Sequence, residues 1–116
     1  MSKGKSGVFP KTKGDIIDLI LNLPFFPDED FLKNWDDITH PEAQKNTQSR
    51  QYRHQKTGLE VRFDPAQEGK PGFAGKNHYH VLNPDRTGKK DAYLDTGANP
   101  VPKGSDPSHI IPKRRR

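Results

Sequence analysis

The sequence predicts an α+β domain in which N-terminal helices pack on a small antiparallel β-sheet. Three observations lead there. Apolar residues early in the chain recur at helical spacing, as in "GDIIDLILNL". From Ser49 onward the period falls to two, as in "LEVRFD" and "NHYHVL". The order is helices first and short strands afterwards, with Gly/Pro-rich breakers between the strands, which suits a meander rather than alternating βαβ units.

The elements follow in order. Residues 1–13 are rich in Lys, Gly and Ser and are expected to form a flexible basic arm. In the first helix Ile16, Ile17, Ile20, Leu21 and Leu23 share a face, Asp15 and Asp18 occupy its favourable N-terminal part, and Pro24 stops it. "FFPDEDFLKNWDDI" is expected to hold a second helix that starts at Pro27 and three acidic residues, with Phe31, Leu32, Trp35 and Ile38 as one apolar stripe. "THPEAQKN" has capping-box spacing between Thr39 and Glu42 and an early Pro41, so it can open a short third helix. His40 reads as a turn or cap residue. "SRQYRH" and "LEVRFD" flank the turn "QKTG" as a hairpin. A long Gly/Pro loop follows, then "NHYHVL", a breaker-rich turn, the short strand "DAYLDTG", a wandering segment, and "HII" as a final edge strand. The domain is expected to span 14–112 and to end in a basic tail, 113–116.

Composition bounds the function. Only 28% of the 116 residues are apolar and 30% are charged, so the core must be small. The net charge of +5 favours a polyanionic partner such as nucleic acid. There is no cysteine, which excludes disulfides, thiolate zinc sites and a Cys nucleophile. No apolar run approaches the roughly 18 residues of a membrane span, so no membrane partner is expected. No phosphate-cradling Gly loop and no nucleophile elbow is present, and no cofactor is expected.

The chemistry-bearing residues gather on one sheet face. If Leu59, Val61, Phe63, Tyr79 and Val81 face the helices, then Glu60, Arg62, His78 and His80 share the opposite, open side. Asp64 has the same parity. In the next strand Ala92 and Leu94 suit the core, which adds Asp91, Tyr93 and Asp95 to the open side. A Ser108–His109 pair after a Gly/Pro loop can swing beside the same cleft.

These residue types suit RNA cleavage without a metal. The 2′-hydroxyl of RNA can attack its own phosphodiester if a base takes its proton, an acid protonates the leaving 5′-oxygen, and positive charge meets the developing phosphorane. His78 and His80 titrate near neutrality and can serve as acid or base. Glu60 can replace one of them as base. Arg62 offers planar donors to phosphoryl oxygens. Tyr93 or Tyr79 can stack on a base, with Lys76 and Ser108 as further substrate contacts. Plainer readings stand beside this one. Two histidines at i, i+2 also occur as ordinary surface, and Arg62 with Glu60 or Asp64 can be a surface ion pair worth about 0–1 kcal/mol. His-x-His is a metal-ligand spacing too, with a third ligand from His54, His109 or a carboxylate, which would make a metal-dependent nuclease. A basic RNA- or protein-binding module without catalysis is the non-enzymatic alternative.

The runs "GLEVRFDPAQEGKPGFAGKNHYHVLNP" and "YLDTGANPVPKGSDPSHIIP" resemble the C-terminal toxin modules of bacterial polymorphic toxins, including contact-dependent inhibition and Rhs-type effectors. The resemblance covers roughly residues 58–112. Many such modules are similar to the barnase/colicin/RelE-like group of metal-independent ribonucleases, with N-terminal helices packed on an antiparallel sheet. The resemblance implies a monomeric endoribonuclease acting on RNA such as tRNA or rRNA. It implies His78, His80 and Arg62 as catalytic positions, with His109 next. It also implies a cognate immunity protein that blocks the cleft, and delivery within a larger effector into the target-cell cytoplasm.

Overall fold

The computed structural model describes residues 12–112. Most of the expected basic arm, and the whole basic tail, lie outside the described residues. Among these residues the chain forms three short helices, α1 (Lys13–Leu21), α2 (Glu29–Leu32) and α3 (Pro41–Asn46). Six strands build one sheet: β1 (Trp35–Asp37), β2 (Arg50–His54), β3 (Glu60–Asp64), β4 (His78–Leu82), β5 (Tyr93–Leu94) and β6 (Pro100–Val101). Every pair of neighbours is antiparallel and consecutive in the chain, so the sheet is a meander. The expected α+β class, with helices N-terminal, is what the chain adopts. Among the described residues no helix is long and apolar enough to cross a membrane.

Helix α1 begins with a reciprocal cap. Asp15 N–H donates to the Thr12 hydroxyl, and Thr12 N–H donates to the Asp15 carboxylate. Its apolar side delivers Ile20 to the core, with Ile16 and Leu19 packed against it; Leu23, just past its end, joins the core, whereas Leu21, expected on the same face, is 67% exposed. Helix α2 is much shorter than the stripe Phe31–Leu32–Trp35–Ile38 predicts. Asp28 caps it, the chain turns at Lys33 and Asn34, and Trp35–Asp37 pairs with β2 as an edge strand instead. Leu32 is left 45% exposed, so the stripe never forms. Trp35 still reaches the core, stacked on Phe31 at 5.0 Å and 9°. Strand pairing here overrides a helical apolar period.

The third helix forms where its proline and acidic start predict, but its cap is His40, not Thr39. His40 Nδ1 accepts from Glu42 N–H at 3.1 Å. The Thr39 hydroxyl turns the other way and accepts from Gln51 N–H at 2.7 Å, tying the loop to β2. The β2–β3 hairpin closes through Gly58 at φ +78°, a left-handed position that glycine reaches without steric penalty.

The core lies on one face of the sheet. Val61 sits opposite Val81 and Phe63 opposite Tyr79, with Tyr52, Leu59 and Leu94 alongside. The "HII" segment adds no strand. Ile110 makes a single two-way bridge to Tyr79, 2.8 Å in each direction, on the stretch of β4 that short β5 leaves unpaired. Ile110 joins the core there, and alternation turns His109 to the other face.

Tyr79 also fastens the helical layer to the sheet. Its hydroxyl, with no accessible surface around it, donates to the Pro24 carbonyl at 2.9 Å, at the end of α1. Tyr79→Phe should therefore cost about 1 kcal/mol, the net worth of a typical intramolecular hydrogen bond, while keeping the fold. Urea unfolding monitored by Trp35 fluorescence measures this; an unchanged midpoint would mean that water replaces the bond.

Candidate functional site

The register of β3 against β4 builds the site. Arg62 lies opposite His80, and Asp64 lies opposite His78. Directly opposite residues share a face, so all four side chains rise on the side away from the core. That side is not open, as parity alone suggested. His78 is 6% exposed and His80 only 3%. The His109 segment and the short 3₁₀ turn Gly72–Gly75 close over them: Phe73 stacks on His109 at 4.1 Å and 10°, and the His109 ring lies 4.7 Å from His80 and 5.1 Å from His78.

Asp64 is the hub. Its Oδ2 accepts from Arg62 Nη2 at 2.9 Å and faces His78 Nε2 at 3.2 Å and His80 Nε2 at 3.5 Å. Its Oδ1 accepts from the Ser49 hydroxyl at 2.5 Å. Burial works to raise the pKa of this carboxyl. Hydrogen bonds from His78 and Ser49 and the charge of Arg62 outweigh that and hold it well below the usual carboxylate range.

The three imidazoles differ in state. His78 Nδ1 lies 2.9 Å from the Lys76 carbonyl, which can only accept, so Nδ1 carries a proton. Its Nε2 faces the Asp64 carboxylate. Burial works to lower the His78 pKa, but the bonds to Asp64 and Lys76 and the carboxylate charge win and raise it. His80 moves the other way. Burial first, then the Arg62 charge, pull it down to about 4, so its ring is neutral at pH 7. His80 Nδ1 is buried and has no hydrogen-bond partner. His109 Nδ1 lies 2.9 Å from the Ser105 carbonyl, which fixes the tautomer and leaves Nε2 for other work. Tyr93 completes the group: its ring lies 5.0 Å from His80, and its hydroxyl accepts a long 3.5 Å contact from Arg62.

The carboxylate, the guanidinium and the three imidazoles line a cleft of about 730 Å³. Its walls are the Asn46–Ser49 turn after α3, the Pro65–Gln67 loop, and Phe73 with Ala74. Of the residues singled out in the sequence, Arg62, His78, His80 and His109 line it, and Tyr93 touches it through His80 and Arg62. The others do not. Glu60 shares the face but lies toward the other end of β3, where it accepts from Gln51 at 3.1 Å, pairs with Arg53 at 3.5 Å and borders a separate pocket with Arg86. Tyr79 belongs to the core and presents no face to a base. Ser108 has no accessible surface; its hydroxyl donates to the Ser105 carbonyl at 2.6 Å and so shapes the turn that presents His109. Lys76 is exposed and contributes its carbonyl to His78, but its side chain does not line the cleft. His54 sits away from the group, bonded to Thr57 and edge-on to Trp35.

Asp64, Ser49 and Phe73 were not singled out in the sequence. Asp64 had a signal, its parity with Arg62 on the strand facing His-x-His. Ser49 opens the run "SRQYRH" without standing out in it, and Phe73 lies in an aperiodic Gly/Pro loop that carries no signal.

Ring-nitrogen NMR should find the strand histidines shifted in opposite directions. His78 should stay protonated above the ordinary 6.5, and His80 should stay neutral until about pH 4. The stability consequences have opposite signs. The contribution of His78 is present below 6.5 and lost as pH rises through its raised pKa. The contribution of His80 is lost as pH falls from 6.5 towards 4, a loss on the order of 3 kcal/mol. Asp64→Asn should bring the His78 titration down; a His78 that titrates unchanged in that variant would remove Asp64 as its partner.

Comparisons with family models, with curated proteins and with solved structures gave no match, so the site stands on its own geometry.

Proposed function

We propose that this cleft cleaves RNA without a metal, by attack of a 2′-hydroxyl on the adjacent phosphodiester. The observation that carries the reading is the meeting of a guanidinium and two imidazoles at one carboxylate, with the His109 ring against both imidazoles, in a cleft of about 730 Å³. Transphosphorylation needs one group to take a proton, another to give one, and charge at the phosphoryl oxygens. His109 in its neutral form is the base: Ser105 holds its Nδ1–H and leaves the Nε2 lone pair to take the 2′-hydroxyl proton. His78 is the acid, kept protonated by Asp64 and Lys76, and it gives its proton to the leaving 5′-oxygen. The 2′-oxygen forms its bond to phosphorus as the 5′-oxygen bond breaks, leaving a 2′,3′-cyclic phosphate and a 5′-hydroxyl.

Arg62 stands beside the acid and can neutralise the phosphoryl oxygens. His80 stays neutral behind them, packed on Tyr93, and Asp64 is a positioning residue that orients His78 and Arg62. The net charge of +5 favours the polyanionic substrate. The same resemblance that suggested a ribonuclease carries the biological setting we propose: a toxin module delivered into a target-cell cytoplasm and blocked by an immunity protein. A partner face rich in acidic residues would complement the Arg62 side of the cleft.

The test is RNA cleavage in chelator with end-group analysis of the products. His78→Ala and His109→Ala should each lower the rate by about 10²–10⁴-fold, the range for a positioned acid or base. Arg62→Ala should slow cleavage as well. Glu60→Ala and His40→Ala should leave it nearly unchanged, because neither residue lines the cleft. Cleavage of an all-deoxy strand would sink the mechanism, since no 2′-hydroxyl would be there to attack. So would loss of activity in chelator.

A further inference from the structure

His78, His80 and His109 each offer a ring nitrogen, and the three nitrogens lie within 4.8 Å of one another. Tetrahedral zinc–imidazole bonds of about 2.0–2.1 Å place donors roughly 3.4 Å apart, so the widest pair must close by at most about 1.4 Å to hold an ion. Two further features are those that metal sites use. The Nδ1 atoms of His78 and His109 are held by backbone carbonyls, Lys76 and Ser105, which is the outer-shell arrangement that aims Nε2 at a metal. His80 is 97% buried, yet its Nδ1 has no partner, an unsatisfied nitrogen of the kind that marks a missing ligand. Asp64 adds a carboxylate within 3.2–3.5 Å of two of the rings, and its charge offsets that of Arg62, 2.9 Å away, so the guanidinium beside the site does not by itself repel a cation.

We propose that His78, His80 and His109 form a site for a borderline-soft divalent cation such as zinc, and that occupancy switches the nuclease off. Imidazole donors select zinc, copper and nickel over magnesium and calcium, which prefer all-oxygen shells. Coordination forms three metal–nitrogen bonds, and any proton on a donor nitrogen leaves to solvent. A coordinated His109 has no lone pair for the 2′-hydroxyl, and a coordinated His78 has no proton for the 5′-oxygen. The blocking role rests on the ribonuclease reading, whereas the binding site stands without it.

The experiment uses tag-free protein, with zinc chloride as the probe. Calorimetry should find one zinc per chain, competed away by chelator and not by magnesium. His80→Gln and His109→Gln should each weaken binding by more than the roughly 10–100-fold typical of losing an outer-shell partner. His40→Ala should bind as the parent does. Should a histidine variant fail to fold, ring NMR of the unaltered protein decides: zinc must move the signals of His78, His80 and His109 and leave those of His40 and His54 in place. Stoichiometric zinc should abolish RNA cleavage, and chelator should restore it. Absence of binding, or binding that survives both Gln substitutions, overturns the site. Cleavage that rises with zinc overturns the blocking role and the metal-free mechanism together. If the protein cleaves no RNA under any condition, the ribonuclease reading fails, and calorimetry still judges the site.

Discussion

Everything at the site depends on the pairing of β3 with β4. With Val61 opposite Val81, the core face closes with Phe63 on Tyr79, and the same register leaves Arg62 facing His80 and Asp64 facing His78. A slip of one residue would put the histidines among the helices and Tyr79 on the polar side. The apolar set is therefore what holds the ionisable set in position. Val61, Tyr79 and Val81, none with accessible surface, fix the register on which the opposite face relies.

Burying that second face requires its charges to be matched. An ionised carboxylate out of water is unfavourable unless it is paired and hydrogen-bonded. Asp64 satisfies this with Arg62, His78 and Ser49 at once. His80, buried and held beside the Arg62 charge, is driven neutral, so its pKa falls while that of His78, bonded to Asp64 and Lys76, rises. The two directions come from one arrangement rather than from two independent environments. The separation leaves His78 as the ring that holds a proton near neutrality and His80 as its neutral neighbour.

How far the sequence disclosed this depended on how many residues carried each signal. Alternation over five residues in β3 and in β4 was enough to assign both faces correctly. Trp35–Asp37 has three residues, too few to display a period, and the spacing of Phe31, Leu32, Trp35 and Ile38 looked helical instead. Parity placed Glu60, Arg62 and Asp64 together, but a slip of two residues preserves the face and changes the partner. Sequence therefore could not say that Asp64, rather than Glu60, meets the histidines. Nor does parity say whether a face is covered. Phe73, which closes the cleft over His109, lies in a Gly/Pro loop whose position only the folded chain determines.

The covering segment links the two sides of the sheet. β5 is only two residues long, so β4 keeps a free backbone edge at Tyr79, and Ile110 takes it with a single two-way bridge. Ile110 is drawn there by the core, where it is 3% exposed. Because neighbouring side chains in extended backbone point to opposite faces, the burial of Ile110 delivers His109 to the cleft, where Phe73 and the Ser105 carbonyl fix its plane and tautomer. The third imidazole is thus placed by an aliphatic contact on the far side of the sheet. A chain with 28% apolar residues has few such contacts, and one of them positions a ring of the cleft.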